Sequence, residues 1–270
     1  MNPRPIGIFD SGVGGLTVVH ELHRRLPHES LIYFGDTARV PYGNKSPETV
    51  RRYAREILEF LLARDVKMVV VACNTASAHA LDELRSLAPV PVEGVLGPGA
   101  RAAVSASRSG RIGVIGTAGT VASGAYERAI RALEPGATVI QRACPLFVPL
   151  VEEGWLDHQA TELVAREYLE PLKREAIDTL VLGCTHYPLL KPLLAEVLGE
   201  GIRLIDSAEE TAAAVAAELE RTGAAAPREA AGSTHFVVSD APSAFAKIGA
   251  AFLGDRVRDI ELAVLEPARG

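Results

Sequence analysis

Short apolar runs alternate with amphipathic stretches along this chain, and small polar turns separate them. Ile6–Phe9 is apolar and breaks at Asp10-Ser11-Gly12-Val13-Gly14-Gly15, after which a helical segment runs from Leu16 to about Leu26. Leu31–Phe34 is the next strand-like run, and the loop over 35–45 carries Asp36, Pro41, Tyr42 and Gly43. Ser46-Pro47-Glu48 predicts a helix start, with Ser as N-cap, Pro at the first position and an acid in the first turn. Val50, Ala54, Ile57, Leu58 and Leu61 then recur at helical spacing. Lys67–Ala72 is almost continuously apolar, as a strand buried on both faces should be. Strand alternating with helix predicts βαβ units and parallel sheets.

After Gly97-Pro98-Gly99 the pattern restarts. Ile112–Thr117 repeats the order of Ile6–Ser11 at an offset of 106 residues. Val69–Ser77, reading VVVACNTAS, returns as Leu180–Pro188, reading LVLGCTHYP, with Cys184 placed 111 residues after Cys73. Two landmarks with nearly one period predict an α/β protein of two pseudo-symmetric lobes with mainly parallel sheets. The active site is expected in the cleft between them. The expected division is 1–97 plus 207–270 for the first lobe and 98–206 for the second. From Ser207 come an Ala- and Glu-rich helix, a linker near Gly223–Pro227, a strand at His235–Val238, a helix near Pro242–Leu253 and a strand at Ile260–Leu265. This tail is too small for a domain of its own and is expected to complete the first lobe.

Composition narrows the class. A chain of 270 residues can bury one large core or two ordinary ones. A net charge of −6 without any basic run argues against nucleic acid as a partner. No segment approaches the ~18 to 20 apolar residues of a membrane helix, and no secretory h-region precedes the first strand. Three Cys without CxxC spacing point to reduced thiols in the cytoplasm.

A strand that ends in Cys and turns into a helix puts sulfur at the carboxyl edge of a parallel sheet, where α/β folds bind ligands. The following helix N-terminus favours thiolate over thiol. Free Cys is commonly just a buried hydrophobe, but two Cys in matching contexts shift the balance toward chemistry. The Asp10–Gly15 loop fails as a dinucleotide motif, because Thr17 stands where the third Gly belongs, and no P-loop GKT or GKS exists. It remains either a plain turn or a backbone approach to a small anion, with Asp10 and Ser11 at the same sheet edge. Cys184-x-His186 reads as a nucleophile with its base or, together with Cys73, as a Cys₂His zinc set. The absence of HExxH and CxxC weighs against zinc, and no Gly-x-Ser-x-Gly elbow occurs. Cys144, between Ala143 and Pro145, reads as structural, and Glu152-Glu153 as a solvated surface pair. No lysine has the setting of a pyridoxal phosphate Schiff base. Two thiols facing each other across a two-fold suit racemisation, where one group removes a proton from one face and another delivers one to the opposite face.

GIFDSGVGGLTV, YFGDTARVPYG, VVACNTASA, GVIGTAGTV, CPLFVPLVEEG and LVLGCTHYPLL, in this order, resemble the signature blocks of the glutamate racemases. The resemblance covers about Ile6 to Asp206 and implies cofactor-independent supply of D-glutamate for peptidoglycan. It implies that Cys73 and Cys184 are the acid/base thiols, the first working on the D-enantiomer and the second on the L-enantiomer. Asp10 and His186 match auxiliary catalytic residues, and Asp36 and Glu152 match two further acids linked to catalysis. Asp10, Ser11, Tyr42, Gly43, Asn74, Thr75, Thr117, Thr120, Thr185 and His186 fall at substrate-binding positions, with no metal ligand among them. A homodimer is implied as well. Some members carry an N-terminal extension tied to regulation by a wall precursor; this chain starts at its first strand, which implies regulation by another route or none. An aspartate racemase, an amino-acid sensor without turnover and a zinc hydrolase stay open as alternatives. An anionic Asp10 beside Cys73 would raise the thiol pKa, which sits awkwardly with a thiolate base.

Overall fold

The computed structural model describes residues 2–265. Its strands are β1 (Ile6–Asp10), β2 (Leu31–Gly35), β3 (Met68–Val71), β4 (Val92–Gly94), β5 (Arg111–Gly116), β6 (Thr138–Ala143), β7 (Thr179–Gly183), β8 (Arg203–Asp206), β9 (Thr234–Val238) and β10 (Glu261–Leu262). They form two sheets, one in the order β10-β9-β2-β1-β3-β4 and one in the order β6-β5-β7-β8. Every strand pairing is parallel. The order β2-β1-β3-β4 therefore recurs as β6-β5-β7-β8. Even the register repeats: Ile6 pairs with Met68, and Ile112 with Thr179, the residues that the two sequence offsets relate.

Central strands β1, β3 and β7 are buried at every residue, because helices cover both sheet faces. The helix Pro47–Leu62 starts as its sequence predicts, with Ser46 Oγ accepting from the Thr49 N–H at 3.3 Å. After the helix Ser207–Thr222 the chain returns to the first sheet, where β9 pairs with β2 and β10 with β9. The last strand is shorter than its apolar run predicts, covering Glu261–Leu262 instead of Ile260–Leu265. It lies at the sheet edge, where Leu262 and Val264 stay exposed and only one side can pair. The tail nevertheless does structural work near the chemistry: Phe236 and Phe245 pack on Tyr33, and Ser239 Oγ donates to Asp36 at 2.8 Å. One apolar cluster runs through both halves, from Ile8 and Tyr33 to Leu182 and Tyr187. No helix among the described residues is long and apolar enough to cross a membrane.

Candidate active site

The carboxyl ends of the central strands converge on the seam between the two sheets. Asp10 ends β1, Cys73 follows β3 after one residue, Thr117 follows β5, and Cys184 follows β7. Cys73 caps the helix Asn74–Leu87, and its Sγ accepts from the Ala76 N–H at 3.4 Å. Cys184 Sγ lies 3.9 Å from His186 Nδ1, and His186 Nε2 lies 2.8 Å from Glu152 Oε1. Both thiols line one cavity enclosing about 40 Å³, together with Ser11, Tyr42, Gly43, Asn74, Thr75, Thr117, Thr185 and His186. Val40, Pro41 and Val148 complete the wall, and no pattern in the sequence singled out Val40 or Val148. A wider hollow of about 220 Å³ adjoins it, sharing Pro41, Gly43, Thr117 and Val148.

Four of the expected site residues stand behind this wall. Asp36 is fully buried and accepts from Arg39 Nε at 2.7 Å, from the Tyr42 hydroxyl and from Ser239 Oγ. It holds Tyr42, which itself faces the cavity. Thr120 Oγ1 bonds to Thr75 at 3.2 Å and to Thr117 at 3.0 Å, and those two bond to each other at 2.9 Å. This ring of three hydroxyls ties the first sheet's helix Asn74–Leu87 to the second sheet's β5 turn. Asp10 Oδ1 accepts from the Gly12 N–H at 3.0 Å, and Thr185 Oγ1 approaches Oδ2 at 3.5 Å. Glu152 ends the helix Phe147–Glu152 and turns onto His186, so the expected solvated pair holds for the exposed Glu153 alone. Cys144 is fully buried, its Sγ–H directed to Arg142 O at 3.7 Å. Among the described residues no three His, Cys, Asp or Glu side chains converge to hold a metal ion.

The family described as Asp/Glu/Hydantoin racemase matches residues 12–215. The chain belongs to this family. It is 56% identical over 263 residues to the glutamate racemase of Geobacter metallireducens, covering 97% of each chain. The crystal structure of glutamate racemase isoform RacE1 from Bacillus anthracis superposes with a TM-score of 0.93 at 41% identity, covering 98% of each. The Francisella tularensis glutamate racemase in complex with D-glutamate gives a TM-score of 0.92 at 37% identity, covering 98% of this chain and 99% of that one. These solved glutamate racemases share this fold over nearly their whole length.

Within this racemase fold the two thiols have unlike surroundings. Burial pushes the Cys73 thiol up to about 12, and the Asp10 carboxylate adds to the rise against the Ala76 N–H and the Ser11 hydroxyl. Burial also raises Asp10 itself, against the opposing pull of His186 and the backbone N–H groups of its loop. Burial disfavours a charged His186, but its contacts with Cys184 and Glu152 outweigh that and push the ring up to about 10. Both raised groups, His186 and Cys73, keep protons that the unfolded chain releases earlier. An unfolded imidazole loses its proton near pH 6.5 and a thiol near about 8.5. The His186 contribution to stability is therefore complete below about pH 6.5 and lost as pH rises through about 10. The Cys73 contribution is complete below about pH 8.5 and lost toward about 12. The melting temperature should fall steadily from pH 7 to 10, and His186→Asn should flatten that slope. Equal slopes in the two proteins, measured by scanning calorimetry, would refute this account of the ring.

Proposed function

We propose that this protein interconverts L-glutamate and D-glutamate without a cofactor, by a two-thiol acid/base mechanism. The product serves as the D-glutamate of peptidoglycan, made in the cytoplasm by a homodimer, as the family resemblance implies. The observation that carries the reading is the placement of Cys73 and Cys184. They follow equivalent strands of two sheets repeated in the same order, and both line one cavity.

From L-glutamate, the Cys184 thiolate takes the α-proton; the C–H bond breaks and an S–H bond forms. The electron pair moves toward the substrate carboxylate, and the Cys73 thiol gives its proton to the opposite face of the carbon. Cys73 then holds the negative charge and Cys184 the proton, and the reverse reaction starts from that state. Cys73, pushed up to about 12, is a thiol at neutral pH and so stands ready as the acid for the L-enantiomer. For the D-enantiomer its proton must leave first, and Asp10, raised by burial, is the adjacent carboxylate that can share it. His186, backed by Glu152, serves Cys184 in the same way from the other side. The α-proton of an amino acid is far less acidic than a thiol, so donors aimed at the substrate carboxylate must narrow the gap. Asn74 lines the cavity and its Nδ2 is buried with no partner, which suits holding that carboxylate alike in the ground and transition states. The cavity between the thiols adjoins the wider hollow of about 220 Å³, which offers glutamate a way in.

Solvent label tests the mechanism. Run from pure L-glutamate in deuterium oxide, early D-glutamate should carry deuterium at the α-carbon while remaining L-glutamate stays protiated. Cys184 holds the substrate's own proton in the closed cleft, whereas Cys73 has already exchanged with solvent. A single base serving both faces would often return the abstracted proton. Mostly unlabelled D-glutamate in the first few per cent of conversion, by mass spectrometry, would sink the two-thiol reading.

A further inference from the structure

We infer that Tyr126 is a positioning residue for this reaction: its hydroxyl sets which end of the Asn74 carboxamide faces the substrate. The inference rests on the proposed role of Asn74 as a ligand of the substrate carboxylate. Tyr126 belongs to the helix Ala125–Leu133 of the second half and is fully buried. Its hydroxyl donates to Asn74 Oδ1 at 2.7 Å, across the seam between the two sheets. Asn74 Nδ2 is left buried and without a partner, and Asn74 belongs to the lining of the cavity that holds both thiols.

The two ends of a carboxamide are nearly equal in size, so packing alone does not decide which end points where. A hydrogen bond does, because one end only donates and the other only accepts. With its oxygen held by Tyr126, the amide keeps its N–H groups free for the substrate carboxylate. The reversed amide would turn a lone pair toward a negative charge. The ring that carries the hydroxyl is itself tightly placed. A Cβ on Gly183, the residue before Cys184, would lie 2.9 Å from Tyr126 Cε2. The missing side chain at Gly183 therefore leaves room for the ring under the end of β7. No local pattern in the sequence links Tyr126 to Asn74, which lie 52 residues apart.

A double-mutant cycle on glutamate KM and kcat tests this. Asn74→Ala should raise KM about tenfold or more, through loss of a hydrogen bond to a charged group. Tyr126→Phe, which keeps the ring, should raise KM about three- to tenfold with kcat changed less than about twofold. In the Asn74→Ala background the same Tyr126→Phe change should have no further effect. Because the two enantiomers are equal in free energy, kcat/KM must fall by the same factor in both directions, which checks the data. If Asn74→Ala raises KM but Tyr126→Phe costs as much with Asn74 as without it, Tyr126 is merely structural and the inference falls, while the reading of Asn74 stands. If Asn74→Ala leaves KM unchanged, both fall. Asn74→Asp tests the same orientation with Tyr126 intact, should Tyr126→Phe not fold. It keeps an acceptor for the hydroxyl and sets an oxygen against the substrate, so KM should exceed that of Asn74→Ala. A KM equal to that of the parent protein would overturn the inference.

Discussion

Replacing either Cys73 or Cys184 with alanine is expected to lower racemisation of both enantiomers by about 1000-fold or more. A positioned general acid or base contributes roughly 10² to 10⁴ in rate, and in the proposed mechanism each thiol works on a face that the other cannot reach. A loss of about 1000-fold corresponds to about 4 kcal/mol of transition-state stabilisation. Both directions suffer alike, because interconversion uses both faces whichever enantiomer starts. The double variant should be hardly worse than either single one, since in the proposed mechanism the two thiols act as a unit. Cys144→Ala is the informative comparison: Cys144 is fully buried away from the cavity wall and should leave the chemistry intact. The assay is circular dichroism of each pure enantiomer, with melting curves to confirm folding. A single Cys73→Ala or Cys184→Ala protein that keeps more than about a tenth of the parent rate, a loss under about 1.4 kcal/mol, would rule out the two-thiol mechanism.

The second large effect is expected at a residue with no functional group at all. A Cβ on Gly14 would lie 2.3 Å from Thr185 Oγ1 and 2.5 Å from His186 Nδ1. Gly14 is not among the described glycines with positive φ, so space and not backbone freedom demands glycine there. The Asp10–Gly15 loop of the first half presses directly on the Thr185-His186 turn of the second. Thr17 Oγ1, donating to Thr185 O at 3.0 Å, holds the same contact together. In Gly14→Ala the side chains of Thr185 and His186 must give way by about 1 Å, and a misplacement of that size costs about 100-fold in rate. The overpacking itself should cost about 1 to 3 kcal/mol of stability, leaving the protein folded at room temperature. Activity of purified, folded Gly14→Ala within about threefold of the parent would show that the seam yields without disturbing His186.

Much of the fold was legible in local pattern, and the reasons are local. Apolar runs bounded by small polar turns mark β1, β2, β3, β5 and β7, because a strand covered by helices on both faces has to be apolar throughout. Ser46-Pro47 marks a helix start because the unpaired N–H groups of a first turn need a side-chain acceptor. The two block offsets recur as strand order and register, since repeated patterns of burial form repeated sheets. With the strand ends placed, Cys73 and Cys184 reach the carboxyl edges of their sheets by position in the chain alone.

Other features were decided only when distant segments met. The roles of Asp36 and Glu152 are examples. The loop that carries Asp36 gives no sign that its carboxylate would turn inward to hold Tyr42, with Ser239 bonding to it from 203 residues away. Glu152 and Glu153 are adjacent and chemically alike, yet only Glu152 faces His186, because the helix Phe147–Glu152 ends against β7's turn. The crowding at Gly14 and the link from Tyr126 to Asn74 likewise cross the seam between the two sheets. Sequence pattern by itself determined which residues end up at a strand's edge, because backbone periodicity is a short-range property. Which of them touch, which carry a raised pKa and which merely support a neighbour was set by the tertiary structure. Burial and electrostatic contact belong to pairs of segments that the chain brings together only on folding.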